Sequence, residues 1–325
     1  MECINFLKTT QIQHAIKPKT IITVDTTTSL EEILRVFDEN SIVAAPVYDN
    51  ETNKVIAVID MMDIVDFIIS FVGLEIVDIQ QILKVEPRKF FTILESCGGL
   101  FSDSPAINIL ANRKNKLMVI RESDSFLNAI ERMSEKLSKL FIVDSRMTII
   151  NLISESDILA LIAQNIHVLG DVRTKTINQV GLSSSKIVLY PQETRVINIL
   201  QDIIQQKITA VPIIDSNKKL FANFSISNLK GLTKKNFSEL MLPVVDYLQY
   251  QNIKEKKNNL SCLKEKSFHP LTVYSWDTVE NAIYKMVSTK VHRLWVVDID
   301  CHPISVVTID SILKLMSMSR MDINQ

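Results

Sequence analysis

One pattern recurs four times along this 325-residue chain and constrains its fold more than any other feature. Each copy reads as a short β-branched strand, an amphipathic helix, an apolar strand ending in Asp, a third strand, and a polar cluster that opens a second apolar helix. In copy one, Thr20-Ile21-Ile22-Thr23-Val24 is the first strand. Ser29 with Glu31 and Glu32 starts a helix through Phe37, and Ser29-x-x-Glu32 has capping-box spacing. Ala44 to Asp49 and Val55 to Ile59 follow as strands, and Asp60-Met61-Met62-Asp63 opens the closing helix.

Copies two, three and four start at Leu117-Met118-Val119-Ile120, Ile187-Val188-Leu189-Tyr190 and Leu271-Thr272-Val273-Tyr274. Their central strands are Leu140-Phe141-Ile142-Val143-Asp144, Val211-Pro212-Ile213-Ile214-Asp215 and Leu294-Trp295-Val296-Val297-Asp298. Their closing clusters are Ser154-Glu155-Ser156-Asp157, Ser225-Ile226-Ser227-Asn228 and Thr308-Ile309-Asp310-Ser311. The strand-ending Asp lies 14 residues before the end of the cluster in copy one (49 to 63). The spacing is 13 in the others (144 to 157, 215 to 228, 298 to 311).

A β-α-β-β-α unit of about 45–50 residues cannot bury both helices alone, so the units must pair. The division expected is 1–170 and 171–325, with repeats at about 18–70, 115–166, 185–233 and 269–318. Between copies one and two, Leu74 to Val85 reads as helix and Cys97-Gly98-Gly99 as a looser stretch. The run Lys254-Glu255-Lys256-Lys257 reads as a solvated loop or helix face.

Composition excludes several classes. Lys plus Arg is 36 and Asp plus Glu is 37, so no net charge draws the chain to nucleic acid or anionic membrane. There are 6 glycines, and none forms a G-x-G-x-x-G or P-loop pattern. Cys3, Cys97, Cys262 and Cys301 are scattered, without C-x-x-C, as free thiols in a reducing compartment would be. No metal-ligand constellation, nucleophile–base cluster or kinase motif set is present, and His292-Arg293 is followed by Leu294 in a strand context. The opening Met1-Glu2-Cys3-Ile4-Asn5 lacks the basic and apolar regions of a secretory signal, and the apolar run Phe67 to Leu74 is too short to span a bilayer. A non-catalytic protein is expected, soluble and cytoplasmic, with the nucleus as a second location.

The unit resembles the CBS (cystathionine-β-synthase) domain. Four copies at these spacings resemble the gamma regulatory subunit of the AMP-activated and SNF1-related protein kinase family. The stretches that carry the likeness are Lys290-Val291-His292-Arg293-Leu294-Trp295-Val296-Val297-Asp298 and Phe224-Ser225-Ile226-Ser227-Asn228-Leu229-Lys230-Gly231, the second similar to plant-type gamma and gamma-like proteins. The resemblance implies an α/β (α+β) fold of four CBS repeats, paired into two Bateman modules that form a disk. It implies AMP, ADP or ATP as regulatory ligands in clefts between repeats, with no required cofactor and no metal. It also implies a catalytic alpha subunit and a beta subunit as partners, β-strand addition at a sheet edge being one physical route to docking.

An adenylate asks for a carboxylate at its ribose diol, cations or helix N-termini at its phosphates, and an apolar slot for its base. The resemblance places the ribose acid at Asp63, Asp157, Asn228 and Ser311, with Asp310 beside the last. The neighbouring hydroxyls are Ser154, Ser225 and Thr308. Ser154-x-x-Asp157 before an apolar run is equally a plain helix cap, and both readings stand. The resemblance implies phosphate contacts just before the central strands, at Ser138-Lys139, Lys207 and His292-Arg293, while Thr209 beside Lys207 reads equally as a cleft residue or as plain strand packing. Val43 in copy one departs from the family's basic residue. At most one or two clefts are expected to fill, using Arg293 and Lys139. Phe141, Pro212 and Trp295 read as core rather than adenine platforms, and Met61, Met62, Met286, Met316 and Met318 as adaptable packing. The alternative is a stand-alone tandem-CBS protein that binds an adenosyl ligand or scaffolds another enzyme, or a gamma-like subunit without nucleotide sensing.

Overall fold

The computed structural model describes residues 2–76, 87–110, 118–133, 139–183, 186–258 and 270–317. Ser138, Cys262, Met318 and most of the Leu74–Val85 segment lie outside them. Helices α1 (Glu2–Thr9) and α2 (Ile12–Ala15) precede repeat one. That repeat consists of β1 (Val24–Asp25), α3 (Leu30–Glu39), β2 (Ala44–Asp49), β3 (Lys54–Asp60) and α4 (Met61–Ile76). Helices α5 (Pro87–Asp103) and α6 (Ala106–Leu110) lead to repeat two, made of β4 (Val119–Arg121), α7 (Phe126–Met133), β5 (Lys139–Val143), β6 (Ile149–Ser154) and α8 (Glu155–Gln164). After a 3-10 segment Ile166–Thr174, repeat three has β7 (Tyr190–Pro191), α9 (Val196–Gln206), β8 (Ala210–Ile214) and β9 (Leu220–Ser225). Helix α10 (Val244–Asn258) carries the Lys254–Lys257 run and leads to repeat four. The last unit comprises β10 (Thr272–Tyr274), α11 (Val279–Thr289), β11 (Arg293–Val297), β12 (Pro303–Thr308) and α12 (Ile309–Ser317).

Each repeat forms its own three-stranded sheet, with the middle strand parallel to the first and antiparallel to the third. The recurrent Asp makes the hairpin. Asp144 Oδ1 accepts the Arg146 and Thr148 amides, Asp215 Oδ1 those of Asn217 and Lys219, and Asp298 Oδ1 those of Asp300 and His302, all at 2.8–3.0 Å. Such a side chain mimics a backbone turn. A left-handed residue follows in each loop, at Met147, Lys218 and Cys301, three residues after the Asp. In repeat one the left-handed Asn53 comes four residues after Asp49, which accounts for the spacing of 14 rather than 13.

Three expectations need correction. The first strands are shorter than their β-branched runs and displaced toward the C-terminus, as Val24–Asp25 against Thr20–Val24 shows. They are edge strands and pair only where the middle strand lies alongside. Repeat three has no closing α-helix. Ile226–Leu229 is a single 3-10 turn, Gly231 takes a φ of +74° that ends it, and a second 3-10 helix, Lys234–Met241, follows. Buried Tyr247 on α10 takes over the packing, donating its hydroxyl to the Asn228 carbonyl at 2.9 Å. Finally, Cys97-Gly98-Gly99 is helical and lies within α5.

The core is built across repeats. One apolar cluster joins repeats one and three, including Ile33, Phe37, Ile64, Ile199, Ile203 and Phe224. The other joins repeats two and four, including Phe126, Ile158, Ile162, Ile283, Leu294 and Ile312. Helix α4 packs on α9, and α8 packs on α11 and α12. Glu31 ties repeats one and three at the rim, where its Oε2 accepts the Lys234 amide at 2.9 Å and the Ser102 hydroxyl.

A second exchange links repeats in the other direction. The segment before each repeat docks on the first helix of a neighbour and accepts that helix's leading amide. Phe126 N–H bonds Thr10 O (3.2 Å), Leu30 N–H bonds Ser104 O (2.9 Å), Val279 N–H bonds Lys175 O (3.0 Å) and Val196 N–H bonds Leu242 O (3.1 Å). The first amides of a helix have no partner within it, so these carbonyls fill a standing need.

Gly98 on α5 marks a close approach to the 3-10 helix Lys234–Met241. A Cβ there would lie 3.1 Å from Phe237 Cβ and 3.3 Å from the Lys234 carbonyl, both on the repeat-three side. Gly98→Leu is expected to cost about 1–3 kcal/mol by overpacking. Gly99→Ala, which meets only the flexible end of Lys234 at 3.5 Å, should gain up to about 1 kcal/mol of helix propensity. Urea unfolding midpoints of the two variants decide it.

Candidate functional site

Strand register fixes which residues are equivalent. Ala44 pairs with Asp60, Lys139 with Ser154, Ala210 with Ser225 and Arg293 with Thr308. One residue earlier, the carbonyls of Val43, Thr209 and His292 accept the amides of Met61, Ile226 and Ile309 at 3.0–3.1 Å. The first position of the central strand is therefore Ala, Lys, Ala and Arg in the four repeats. Lys207 does not occupy it. It is the exposed left-handed cap of α9 (φ +54°), equivalent to Lys290 at the end of α11 (φ +56°). The correct counterpart of His292 in repeat three is Thr209, so that unit presents a hydroxyl where a cation was expected.

The four closing clusters are all reciprocal caps. Asp60 N–H donates to Asp63 Oδ2 and Asp63 N–H to Asp60 Oδ1, both at 2.9 Å, and Asp63 is buried. Asp157 Oδ2 accepts the Ser154 amide (2.8 Å) and hydroxyl (2.7 Å). Asn228 Oδ1 accepts the Ser225 amide (2.8 Å) and hydroxyl (3.2 Å). Ser311 Oγ accepts the Thr308 amide (3.0 Å), and its own amide donates to Thr308 Oγ1 (3.1 Å). Asp310 instead pairs with Lys314 at 2.8 Å, one turn along α12. The cap reading is thus realised in every repeat, and a ligand at any of these groups would have to share it.

The cations converge. Lys139 is pulled down to about 8, first by burial and then by the positive charges of Lys230 and Lys19, while Asp60 and Asp157 oppose the shift. The same surroundings hold His292 below its ordinary value. Burial contributes most, followed by Arg293, Lys139 and Lys230. Lys230 is itself depressed by burial, against Asp38. Arg293 falls to about 10 by burial, opposed by Glu155, and its Nη2 donates to Thr209 Oγ1. Cations from repeats two, three and four are therefore within electrostatic reach of one another, beside acids of repeats one and two. Desolvated cations crowded together gain from a polyanion. Among the sequence candidates, the structure unites Lys139, Asp157, Thr209, His292 and Arg293 in this neighbourhood. Lys230, Lys19 and Glu155 are additions, and only the tertiary packing reveals them. Phe141, Pro212 and Trp295 are buried, with Trp295 Nε1–H bonded to Asn223 Oδ1 at 3.1 Å across repeats three and four. Met61, Met286 and Met316 are core residues.

Glu155 occupies a position that is apolar in the other repeats (Met61, Ile226, Ile309). Burial, and then Asp310, push its carboxyl from 4.5 up to about 7 against Lys314 and Arg293. A raised carboxyl contributes stability at pH below 4.5 that is lost as pH rises through 7. Glu155→Gln should remove that slope, worth on the order of 1–2 kcal/mol. Urea unfolding of both proteins at pH 5 and pH 8 should show it.

Among the described residues, no His/Cys/Asp/Glu group could hold a metal ion, and no helix is long and apolar enough to cross a membrane. The CBS domain family model matches residues 16–70, 112–164 and 267–318. The matches leave out repeat three, the unit that lacks a closing α-helix. The chain is 22% identical over 308 residues to the 5'-AMP-activated protein kinase subunit gamma of Saccharomyces cerevisiae, covering 90% of this chain and 85% of that one. It is 20% identical over 282 residues to protein sds23/moc1 of Schizosaccharomyces pombe, covering 85% of this chain and 66% of the relative. The alignment covers only 30% of the Candida albicans SDS23 protein, so the chain spans between about a third and two thirds of these two sds23 relatives. In fold it is similar to protein MJ1225 of Methanocaldococcus jannaschii, with a TM-score of 0.66 at 19% identity over 94% of this chain and 99% of that one. The chain thus carries three matched CBS domains and a fourth unit of the same sheet topology, and it is similar to kinase gamma subunits over most of its length.

Proposed function

We propose that this protein is the non-catalytic, gamma-type regulatory subunit of a heterotrimeric AMP-activated/SNF1-related Ser/Thr protein kinase, and that AMP, ADP or ATP bound between its repeats modulates the kinase. The observation that carries the reading is the meeting of Lys139, Lys230, His292 and Arg293 from three repeats. The phosphates would lie against these cations. Arg293, held by Thr209, would provide a forked donor, and Lys139 a point charge. The carboxylate of Asp157 would accept the ribose diol. Ala44 and Ala210 leave repeats one and three without a cation at the same position, which supports one or two filled clefts rather than four. The reciprocal docking of leader segments supports two modules, 1–170 and 171–325. An alpha and a beta subunit would be the partners, in the cytoplasm and also the nucleus.

A second reading is a stand-alone adenosyl-binding or scaffold protein acting on another enzyme. It is favoured by the similarity to the fungal sds23 proteins. Co-purification separates the two. A kinase catalytic chain with a beta chain supports the first, and a monomer or homodimer without them the second.

For nucleotide binding, a ligand at 100 times its dissociation constant stabilises the native state by about 2.7 kcal/mol. The unfolding midpoint should therefore rise with at least one of AMP, ADP and ATP, and Arg293→Ala should abolish most of the rise. No shift at millimolar ligand would overturn the nucleotide reading.

A further inference from the structure

Residues 16–23 join α2 to β1 without regular secondary structure before Val24. They run along repeat two, where buried Asn151 donates its Nδ2 to the Lys17 carbonyl at 3.0 Å. Pro18 follows and fixes one backbone angle of the segment. Lys19 then reaches Asp157, with Nζ 2.6 Å from Oδ2 and both side chains partly buried. That oxygen also accepts the Ser154 amide and hydroxyl.

The geometry points to a built-in competitor. We propose that Lys19 is a tethered plug that holds the repeat-two cleft closed by occupying the carboxylate a ribose diol would use. The inference rests on the nucleotide reading above and concerns regulation of the same site. Three features support it. The contact is short and charge-assisted, so it outcompetes a neutral hydroxyl donor. The plug is supplied in cis, so its effective concentration is fixed by a short, anchored segment. Moreover, Lys19 stands among like charges, being one of the groups that depress Lys139. An arriving phosphate would offer Lys19 an alternative anionic partner and so let it leave Asp157. A ligand must therefore release the segment to bind, which links occupancy to the conformation of the leader before repeat one.

Titration calorimetry with AMP on the full chain tests this. Lys19→Met should bind AMP about fivefold tighter than the wild type, close to 1 kcal/mol, and Asp157→Asn should cancel the gain in the double variant. Trypsin gives a second readout, since Asp157→Asn should speed cleavage after Lys19. If the wild type binds AMP and Lys19→Met binds it equally or more weakly, the plug is overturned while the nucleotide reading stands. If neither protein binds AMP at millimolar concentration, both fall. If only Lys19→Met binds, the plug is supported in its strongest form.

Discussion

The structure depends on helices whose leading amides are satisfied from outside their own repeat. The carbonyls of Thr10, Ser104, Lys175 and Leu242 each reach the start of a helix in another unit. Left unbonded and buried, each amide would cost on the order of 1–3 kcal/mol. No repeat is therefore finished without the segment that leads into its partner. A second dependence joins different pairs of repeats. The helices of repeats one and three share one apolar core, and those of two and four share the other. A unit with three short strands and two helices has too little interior to stand alone, and here it acquires two neighbours by two different means.

This double linkage explains how the molecule tolerates a concentration of positive charge. Lys139, Lys230, His292 and Arg293 reach the same neighbourhood from elements held rigidly by apolar cores on either side. Desolvation opposes the charges of Lys139 and Arg293, which are both held below their ordinary values. A loosely packed protein would relax by swinging such side chains into water. In this one, Arg293 starts a strand whose next four residues are all buried, and its guanidinium is held by Thr209.

Much of the fold was legible because the repeat is marked by residues with local backbone roles. The Asp at the end of each central strand builds the hairpin, and the four closing clusters are caps. Both leave fixed spacings in the sequence. Repeat three shows the limit. Its polar cluster forms the same cap, yet the helix beyond ends within one turn at Gly231, and Tyr247, 19 residues past Asn228, supplies the packing. The site was less legible. Lys207 lies close to the central strand by counting along the chain, but counting does not distinguish the left-handed cap of a helix from the first paired residue of a strand. Lys19, Lys230 and Glu155 have no local signature at all. Lys19 is 138 residues from the carboxylate it pairs with, and only packing brings them together.

The alternation along the chain has a consequence for how any anionic ligand must act. The opening position of the central strand is Ala44, Lys139, Ala210 and Arg293, so each pair of consecutive repeats holds one cation and one small neutral residue. Lys139 is sensitive to Lys230 of repeat three and to Lys19, and His292 is sensitive to Lys139 and Lys230. An anion placed against any one of these groups lowers the electrostatic cost of the others. Occupancy at one end of the cluster would therefore favour the charged form at the other end, and such a coupling would be reciprocal by linkage. The two halves of the chain are linked by these charges as well as by the shared cores. An isolated pair of repeats three and four would keep the mutual influence of Lys230, His292 and Arg293 but would lose Lys139, the member supplied by repeat two.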